Sequence, residues 1–263
     1  MKYTKLTIKI NTKDKPPYFL GSQLRGAFGY ALKNIYSHDS SKESLFYKFY
    51  EEQNIQRAFR FDYVLGQYEY EFDFYLFDKY CDEVSFVINA FDKMLSKVGL
   101  GKDRKTYKNY EIYLNDKDKK LDFSKKYTKK IKIKKHFSKV EIELKTPLRI
   151  KKDNRFIRNS SIELEDILTS IHKKIRFLKG EEVYRLDFKP SYTYKAKDVY
   201  FKDLSRYSLA KNEKMKFGGL VGSLHVDNLD KKSYKLLKMG EILGVGKETS
   251  FGLGKIIVKE EYE

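Results

Sequence analysis

Cysteine and tryptophan are almost absent from this sequence, which contains one cysteine, Cys81, and no tryptophan. A single cysteine excludes an intramolecular disulfide and a zinc site built from several cysteines. With 4 prolines and 15 glycines in 263 residues, the chain also lacks the composition of collagen. No apolar run is long enough for a membrane helix, and residues 1–10 lack the apolar block of a signal peptide. These absences predict a protein of the reducing cytoplasm that does not enter a membrane.

Positive charge is what the sequence has in excess. Lysine and arginine number 55 against 37 aspartates and glutamates, which gives a formal net charge of +18, while apolar residues make up 41%. The apolar fraction is sufficient for a folded core, and the basic excess favours a polyanionic partner, of which nucleic acid is the simplest. The alternative is a lysine-rich surface that merely reflects a biased genome.

The charge is unevenly distributed along the chain. Residues 61–100 contain 3 basic and 8 acidic residues, whereas residues 101–135 contain 14 basic and 5 acidic residues, a net charge of +9. Aromatic residues are interleaved with the lysines of the second segment, namely Tyr107, Tyr110, Tyr113, Phe123 and Tyr127. This segment predicts phosphate contacts and base stacking. The alternative is a solvated hairpin whose tyrosines fill one face of a sheet.

Hydrophobic periodicity predicts an α+β fold. In the first half, residues 6–10 alternate as a strand, and apolar residues at helical spacing predict a helix over residues 19–36. Residues 59–80 are typical of a hairpin, and a second helix follows and ends at Gly99. Further strand-like sequence completes the order strand, helix, strand, strand, helix, strand, within a domain that we expect over residues 1–135.

The second half repeats this order, and Ser160 with Glu163 predicts a capping box at its first helix. The four residues GLGK occur at 99–102 and again at 252–255, each after the second helix of its half. Two copies of a β-α-β-β-α-β unit make a tandem ferredoxin-like, or RRM-like, fold. The open sheet face of such a unit is a common platform for single-stranded RNA.

The C-terminal domain, expected over residues 136–263, contains a glycine-rich loop at residues 244–254. Glycines allow a backbone to approach a phosphate closely, and successive amides in such a loop can form an anion-binding nest. The loop is not a nucleotide-binding P-loop, because the Gly-Lys-Ser/Thr ending is absent, and no helix follows it as in a dinucleotide site. The alternative is a glycine-rich turn that packs against its own sheet.

Four segments together resemble a known family. Residues 244–255 (GVGKETSFGLGK) and 217–222 (FGGLVG) resemble the C-terminal signature of CRISPR-associated RAMP proteins. Residues 24–32 (LRGAFGYAL) look like a first-helix motif of one subgroup, and residues 205–208 (SRYS) look like another of its landmarks. More narrowly, the chain is similar to the repeat-processing endoribonucleases, which mature CRISPR precursor RNA.

The resemblance implies a tandem ferredoxin-like fold and metal-independent cleavage within the repeat RNA. In that reaction the 2′-hydroxyl attacks the adjacent phosphate, leaving a 2′,3′-cyclic phosphate and a 5′-hydroxyl. The chemistry needs a base, an acid and a cation near the phosphorane. The resemblance implies no cofactor, and the sequence shows no cluster of His, Asp and Glu with metal-ligand spacing. The implied partners are CRISPR repeat RNA and a CRISPR effector complex.

His38 stands just past the first helix, where the family commonly has its catalytic histidine, and histidine suits proton transfer. Tyr30, Tyr36 and Lys42 are secondary catalytic candidates, since a tyrosine hydroxyl can orient or donate and a lysine can stabilise phosphate charge. The predicted RNA-binding residues are Arg25, Lys33, Arg206, Lys216, Gly244, Gly246, Lys247, Gly252, Gly254 and Lys255. A solvated polar helix face explains the first two nearly as well.

Other histidines and other functions stay open at this point. His225 follows a glycine run on a strand and is a second candidate for proton transfer, whereas His136 and His172 are typical of surface histidines. A non-catalytic RAMP subunit that holds guide RNA would use the same fold and glycine loop. A basic interaction protein whose charge is only compositional would lack the salt-sensitive RNA affinity that phosphate contacts produce.

Overall fold

The computed structural model describes residues 1–35, 43–52, 56–115, 128–182, 185–208 and 213–261. The chain divides into two units, Met1–Ile131 and Lys132–Glu263. This division lies close to the boundary predicted after residue 135. None of the helices in the described ranges is both long and apolar enough to cross a membrane.

The N-terminal unit is an antiparallel sheet with two helices on one face. Its elements in chain order are β1 (Lys2–Ile10), α1 (Gly21–Ile35), β2 (Phe59–Asp62), β3 (Glu71–Phe77), α2 (Val84–Lys93), β4 (Tyr110–Leu114) and β5 (Lys129–Lys130). The strand order is β2-β3-β1-β4, and the short β5 pairs with the start of β1. Leu6, Ile8 and Ile10 alternate inward along β1 and are at most 3% exposed, as the period of two predicts.

Phenylalanine rings fill the space between the helices and this sheet. Phe28 of α1 stacks on Phe91 of α2 with ring centroids 4.6 Å apart, and it meets Phe74 of β3 at 5.0 Å. All three side chains are fully buried. Because the apolar side of α1, which includes Phe28, faces the sheet, Arg25 and Tyr30 lie on other sides of the helix.

The C-terminal unit repeats the plan with two added ribbons. Its elements are β6 (Val140–Leu148), β7 (Lys151–Lys152), β8 (Arg155–Phe156), α3 (Leu164–Leu178), β9 (Thr193–Lys202), β10 (Ser205–Ser208), β11 (Glu213–Lys216), β12 (Gly219–Asp227), α4 (Lys231–Leu243) and β13 (Ile256–Glu260). The main sheet runs β13-β6-β12-β9, while β7 pairs with β8 and β10 with β11. Between β11 and β12, at Phe217 and Gly218, the chain leaves the ribbon and enters the main sheet.

Both units place their strands in the ferredoxin-like order. The first and third strands of each β-α-β-β-α-β unit lie in the centre of its sheet: β1 and β3 in the N-terminal unit, β6 and β12 in the C-terminal unit. The helices follow the first and third strands in both units. The predicted α+β fold with tandem ferredoxin-like units is confirmed.

A glycine motif follows the second helix in both units, as a duplicated unit predicts. In the second unit, however, it lies at a different position from the predicted one. Gly99 ends the helical segment after α2 with φ 78° and ψ 165°, and Gly244 ends α4 with φ 70° and ψ 156°. Gly101 and Gly246, two positions further on, both have φ 79°. The counterpart of GLGK in the first half is therefore the GVGK that begins at Gly244. The predicted counterpart, residues 252–255, is wrong because it follows a further turn and leads into β13.

The helix α3 begins with a capping box that lies later than the predicted one. Glu163 is the N-cap, and its backbone N–H donates to Asp166 Oδ2 at 2.9 Å. The predicted box of Ser160 with Glu163 is wrong, because Ser160 lies in the turn before the helix. Leu164, the first helical residue, donates its N–H to Tyr194 Oη at 2.7 Å, so a residue of β9 helps to determine where the helix begins.

Asp230 caps α4 and contributes to stability in a pH-dependent way. Its carboxylate accepts hydrogen bonds from the backbone N–H groups of Lys232, Ser233 and Ser191 and from the Ser233 hydroxyl. Burial by itself raises the pKa of Asp230, but these hydrogen bonds outweigh burial and lower the pKa below the ordinary value of 3.8. The charged form is therefore favoured by folding.

We expect Asp230→Ala to lower the free energy of unfolding by about 1 kcal/mol at pH 7, the usual effect of losing an N-cap. Because the folded-state pKa is below the unfolded value, this contribution is present above pH 3.8 and is lost as the pH falls through the folded pKa. Urea unfolding across this pH range measures the difference from the wild type. Asp187→Ala, on an exposed residue, is the control. A difference that stays constant to the acid limit would contradict this role of the carboxylate.

Candidate nucleic-acid interface

Two cations of α1 lie on aromatic rings. The guanidinium carbon of Arg25 is 4.7 Å from the centre of the Tyr50 ring, and Tyr50 Oη donates to the Arg25 carbonyl at 2.7 Å. Lys33 Nζ is 5.9 Å from the centre of the Phe46 ring. Phe46 and Tyr50 stack with ring planes 10° apart. The predicted spacing thus brings Arg25 and Lys33 onto one aromatic pair, and their contact with RNA stays a prediction.

Tyr30 faces another direction on the same helix. Its side chain is 46% exposed, and the guanidinium carbon of Arg104 lies 5.1 Å from the centre of its ring. Tyr36, His38 and Lys42, the other catalytic candidates, lie outside the described residues. Tyr30 is therefore placed next to a cation, Arg104, that sequence reasoning missed.

One described aromatic residue of the basic segment 101–135, Tyr107, is too buried to contact a base. Phe123 and Tyr127 belong to residues 116–127, which lie outside the described residues. Tyr107 is 7% exposed, and its ring packs against a neighbouring tyrosine at 5.8 Å. The prediction of base stacking is wrong for Tyr107, because a buried ring presents no face to a base.

The sheet faces turned away from the helices carry buried or acidic side chains at several positions. In the N-terminal unit this face carries Arg60 and Tyr75, which are 1% and 8% exposed. In the C-terminal unit it carries Glu141 and Glu143, each 3.1 Å from Lys259 Nζ. Buried side chains cannot stack on a base, and carboxylates repel a phosphate chain. These four positions are therefore unsuited to contact with RNA, whereas Tyr200, on the same face of the C-terminal sheet, is 60% exposed.

The glycine-rich loop uses its backbone amides within its own unit. The hydrogen bonds are Gly244 N–H to Gly240 O (2.8 Å), Gly246 N–H to Ser170 Oγ (2.9 Å), Lys247 N–H to Arg149 O (2.8 Å), Gly252 N–H to Thr249 O (3.0 Å), Gly254 N–H to Pro147 O (3.2 Å) and Lys255 N–H to Thr146 Oγ1 (2.9 Å). All six donors belong to residues predicted to bind RNA. An amide nest at these positions is therefore wrong, and an RNA contact there would have to use other atoms.

Glycine is required in this loop because backbone approaches backbone. A Cβ at Gly254, where φ is 71°, would lie 1.8 Å from the carbonyl oxygen of Val245. A Cβ at Gly246, where φ is 79°, would lie 2.4 Å from the carbonyl oxygen of Arg149. The loop thus packs against its own unit, which is the alternative that the sequence left open.

A buried lysine holds the loop from inside the unit. Lys174 of α3 is 1% exposed, and its Nζ donates to Leu243 O at 2.6 Å and to Thr249 Oγ1 at 3.0 Å. Leu243 is the last residue of α4, and the carbonyl end of a helix favours a cation. Together with the Ser170 hydroxyl, Lys174 attaches the loop to α3 at successive points.

The predicted RNA-binding side chains of this unit differ in their surroundings. The guanidinium carbon of Arg206 lies 4.9 Å from the centre of the Phe217 ring and 4.8 Å from the centre of the Phe251 ring. These contacts link the β10–β11 ribbon, which contains Arg206, to the glycine-rich loop, which contains Phe251. Packing within the unit therefore explains the position of Arg206. Lys216 and Lys247 are exposed. Their side chains are the predicted cations of this unit that solvent reaches most fully.

Two arginines that sequence reasoning missed flank the β7–β8 ribbon, and the backbone of Arg149 contacts the glycine-rich loop. The guanidinium carbon of Arg149 is 4.2 Å from the centre of the Phe156 ring, and that of Arg158 is 5.2 Å from the centre of the Phe201 ring. The signal that could have found them is the basic sequence KKDNR at residues 151–155. Its Asp-Asn pair has positive φ angles of 50° and 63°, as a two-residue hairpin turn requires.

The histidines in the described ranges contact their own unit. His136 Nε2 lies 2.8 Å from the carbonyl oxygen of Leu229, and His225 Nδ1 lies 3.3 Å from Glu261 Oε1. His172 is half-buried on α3. The second-rank catalytic role of His225 stays a prediction.

Comparison with protein families gives a match in the C-terminal unit. Residues 142–256 match the model of the family described as CRISPR-associated endoribonuclease Cas6. The family resemblance predicted from the sequence is confirmed. The matched residues extend from β6 to the start of β13 and include the glycine-rich loop, Arg149 and Arg158. A search of curated proteins found no match.

Solved Cas6 structures resemble the chain over nearly its whole length. A Cas6 product complex has a TM-score of 0.61 and 13% identity, with 98% of this chain and 100% of that chain covered. Thermus thermophilus Cas6 has a TM-score of 0.55 and 12% identity, with 98% and 97% covered. A Cas6-related protein from Pyrococcus furiosus has a TM-score of 0.52 and 10% identity, with 99% of both chains covered. At these identities the likeness shows the shared fold.

The close packing of the glycine loop makes a test of its structural role. Gly254 and Gly180 have nearly equal φ angles of 71° and 72°, but a Cβ at Gly180 would meet nothing within 4 Å. Gly180→Ala should therefore lower the free energy of unfolding by about 1 kcal/mol, from backbone strain alone. Gly254→Ala should lower it by more than about 3 kcal/mol, because strain and overlap with a carbonyl add. Urea unfolding monitored by circular dichroism compares the two, and equal effects would contradict the packing argument.

Proposed function

We propose that this protein is an endoribonuclease that cleaves CRISPR precursor RNA within its repeats. The observation that carries the proposal is the match of residues 142–256 to the Cas6 family, which is described as an endoribonuclease family. The net charge of +18 supports it, because it suits a polyanionic substrate. CRISPR repeat RNA is the proposed partner, since similar solved structures include Cas6 complexes with a product and with a substrate mimic.

The proposed reaction is a metal-independent transesterification. A base removes the proton of the 2′-hydroxyl, the 2′-oxygen bonds to the adjacent phosphorus, and the bond between phosphorus and the 5′-oxygen breaks. An acid then protonates the departing 5′-oxygen, so the products are a 2′,3′-cyclic phosphate and a 5′-hydroxyl. A cation beside the phosphorane stabilises the charge that develops there.

His38 is the proposed proton-transfer residue, with Tyr30, Tyr36 and Lys42 in supporting roles. Histidine has a reference pKa of about 6.5 and can accept or donate a proton near neutral pH. One similar solved structure is of a Cas6 protein in which a histidine is replaced by alanine. Tyr30 suits a supporting role because its exposed ring lies beside Arg104, which brings a hydroxyl and a cation into one neighbourhood.

Side-chain cations are the proposed contacts along the RNA path. On α1 these are Arg25 and Lys33, and in the C-terminal unit they include Lys216 and Lys247. Lys33, Lys216 and Lys247 are exposed, so a phosphate chain can reach them without a change of fold. Each phosphate that such a residue neutralises should make RNA binding more sensitive to salt.

A second candidate function is that of a non-catalytic RAMP subunit that holds guide RNA in a CRISPR effector complex. One comparison favours it: a solved structure of a RAMP protein binding different RNA substrates covers 99% of this chain, with a TM-score of 0.53. The two functions share a fold and differ in whether the RNA is cut. Tight RNA binding without scission would identify the second.

Incubation with the cognate repeat RNA in the presence of EDTA tests the endoribonuclease. We expect one major cut within the repeat, a 5′ fragment that phosphatase attacks only after acid opens its cyclic phosphate, and a 3′ fragment that polynucleotide kinase labels directly. His38→Ala should lower the single-turnover rate by about 10²- to 10⁴-fold, the usual contribution of general acid–base catalysis. Gel analysis of end-labelled RNA gives both the rate and the chemistry of the ends.

His172→Ala is the matched control, because it removes the same side chain from a half-buried position on α3 and should keep the full rate. If His38→Ala also keeps the full rate, the residue is removed from the proposed site. If the wild-type protein binds the repeat RNA and cuts it under no buffer condition, the endoribonuclease proposal fails and the second candidate gains support.

A further inference from the structure

The β7–β8 ribbon brings two arginines together on one face. Lys151 and Phe156 are directly paired across the ribbon, and a further backbone hydrogen bond of 3.0 Å extends the pairing by one step. Residues two apart on a strand share a face. Arg149 therefore shares the face of Lys151, and Arg158 shares the face of Phe156, so the two arginines are cross-strand neighbours.

This arginine pair lacks a close acidic partner within the described part of the chain. Neither Arg149 nor Arg158 has a carboxylate oxygen within 4.0 Å among the ion pairs found there, whereas Lys152, on the other face of the ribbon, lies 3.6 Å from Asp166. Burial lowers the pKa of Arg149, Glu248 opposes this, and the Arg158 charge lowers the pKa further. Arg149 still stays charged, because the ordinary arginine pKa is so high. The shared face thus carries positive charge that an anion would stabilise.

Both guanidinium groups are held by their surroundings before any ligand arrives. Arg149 Nη1 donates to the Gly218 carbonyl at 2.5 Å while its guanidinium lies over the Phe156 ring at 4.2 Å. The Arg158 guanidinium lies over the Phe201 ring at 5.2 Å. Side chains restricted in this way lose less conformational entropy when they bind. The two arginines are therefore positioned to bind an anion, although their own like charges repel each other.

Two exposed lysines add to the charge of this face. Lys151 Nζ lies 5.2 Å from the centre of the Phe156 ring. Lys247 donates its backbone N–H to the Arg149 carbonyl at 2.8 Å, so its exposed side chain starts beside the arginine pair. Arg149, Lys151 and Arg158 thus share one face of the ribbon, and Lys247 is attached through its backbone to Arg149. Glu248 is the opposing charge that acts on Arg149.

We propose that Arg149 and Arg158, supported by Lys151 and Lys247, bind a backbone phosphate of the RNA. This inference rests on the proposed function and deepens it. The backbone amides of the glycine-rich loop already donate to oxygens of the unit, so the inference assigns the phosphate contact to guanidinium groups instead. Guanidinium groups present paired N–H donors that match phosphate oxygens. A phosphate carries no base information, so the site sets the register of the RNA along this edge and not its sequence preference.

Arg158→Ala tests the site, because Arg158 is exposed and its truncation leaves the core untouched. Arg155→Ala is the matched control: it removes the same side chain and the same charge from the same ribbon, but from the opposite face. Binding of fluorescein-labelled oligouridine RNA is followed by anisotropy over a series of salt concentrations. We expect Arg158→Ala to weaken binding by about 5- to 10-fold and to reduce the salt slope by about 0.7. Arg155→Ala should stay within about twofold of the wild type.

Several outcomes would overturn the site. Equal losses of binding in Arg155→Ala and Arg158→Ala would mean that only total charge matters. Unchanged binding by Arg158→Ala would show that its guanidinium does not contact the RNA. A wild-type protein that does not bind the RNA would also overturn the site. Lys151→Ala supplies a second variant on the same face and should weaken binding in the same direction. Cleavage of the repeat RNA is scored separately. Arg158-dependent binding by a protein that never cuts the repeat would refute the endoribonuclease and keep the phosphate site.

Discussion

The C-terminal unit depends on one constraint: the backbone of the glycine-rich loop lies directly against other backbone. The carbonyls of Arg149 and Val245 occupy the space where a Cβ of Gly246 or Gly254 would have to be. Packing this close directs the loop amides into hydrogen bonds with protein oxygens, so the loop has its shape before RNA arrives. The same packing positions Arg149, whose carbonyl accepts from Lys247 while its guanidinium lies over a ring.

The buried ammonium of Lys174 completes this arrangement. It donates to Leu243 O and Thr249 Oγ1, two oxygens of buried residues. An unsatisfied buried oxygen costs more than a typical hydrogen bond contributes, so α3, the end of α4 and the loop are energetically coupled. Substitution of the loop glycines or of Lys174 is therefore expected to act first on the stability of the unit. Loss of activity on substituting a loop glycine would not by itself show that the glycine touches RNA.

The sequence was sufficient to predict the fold and the main strands and helices, because burial of one face enforces the period of two along β1 and the helical spacing along α1. It did not predict the short β7–β8 and β10–β11 ribbons. It could not predict features that depend on distant contacts. Ser160 fits the capping pattern, yet Tyr194 helps to place the start of α3 at Leu164. A glycine pattern predicts a tight backbone but not whether its amides face solvent or protein. Arg149 and Arg158 become neighbours only through the register of a two-residue turn.

Both units hold cations on aromatic rings: Arg25 on Tyr50 and Lys33 on Phe46 in one, Arg149 on Phe156 and Arg158 on Phe201 in the other. An aromatic ring restricts the motion of a long cationic side chain and leaves its charge in place. A carboxylate would restrict the side chain and also neutralise its charge. Such a cation keeps its attraction for a phosphate and has less entropy to lose on binding. Packing on a ring also holds Arg206, which lies over Phe217 and Phe251. A ring contact therefore orients a cation, and only solvent exposure decides whether that cation can also reach a phosphate.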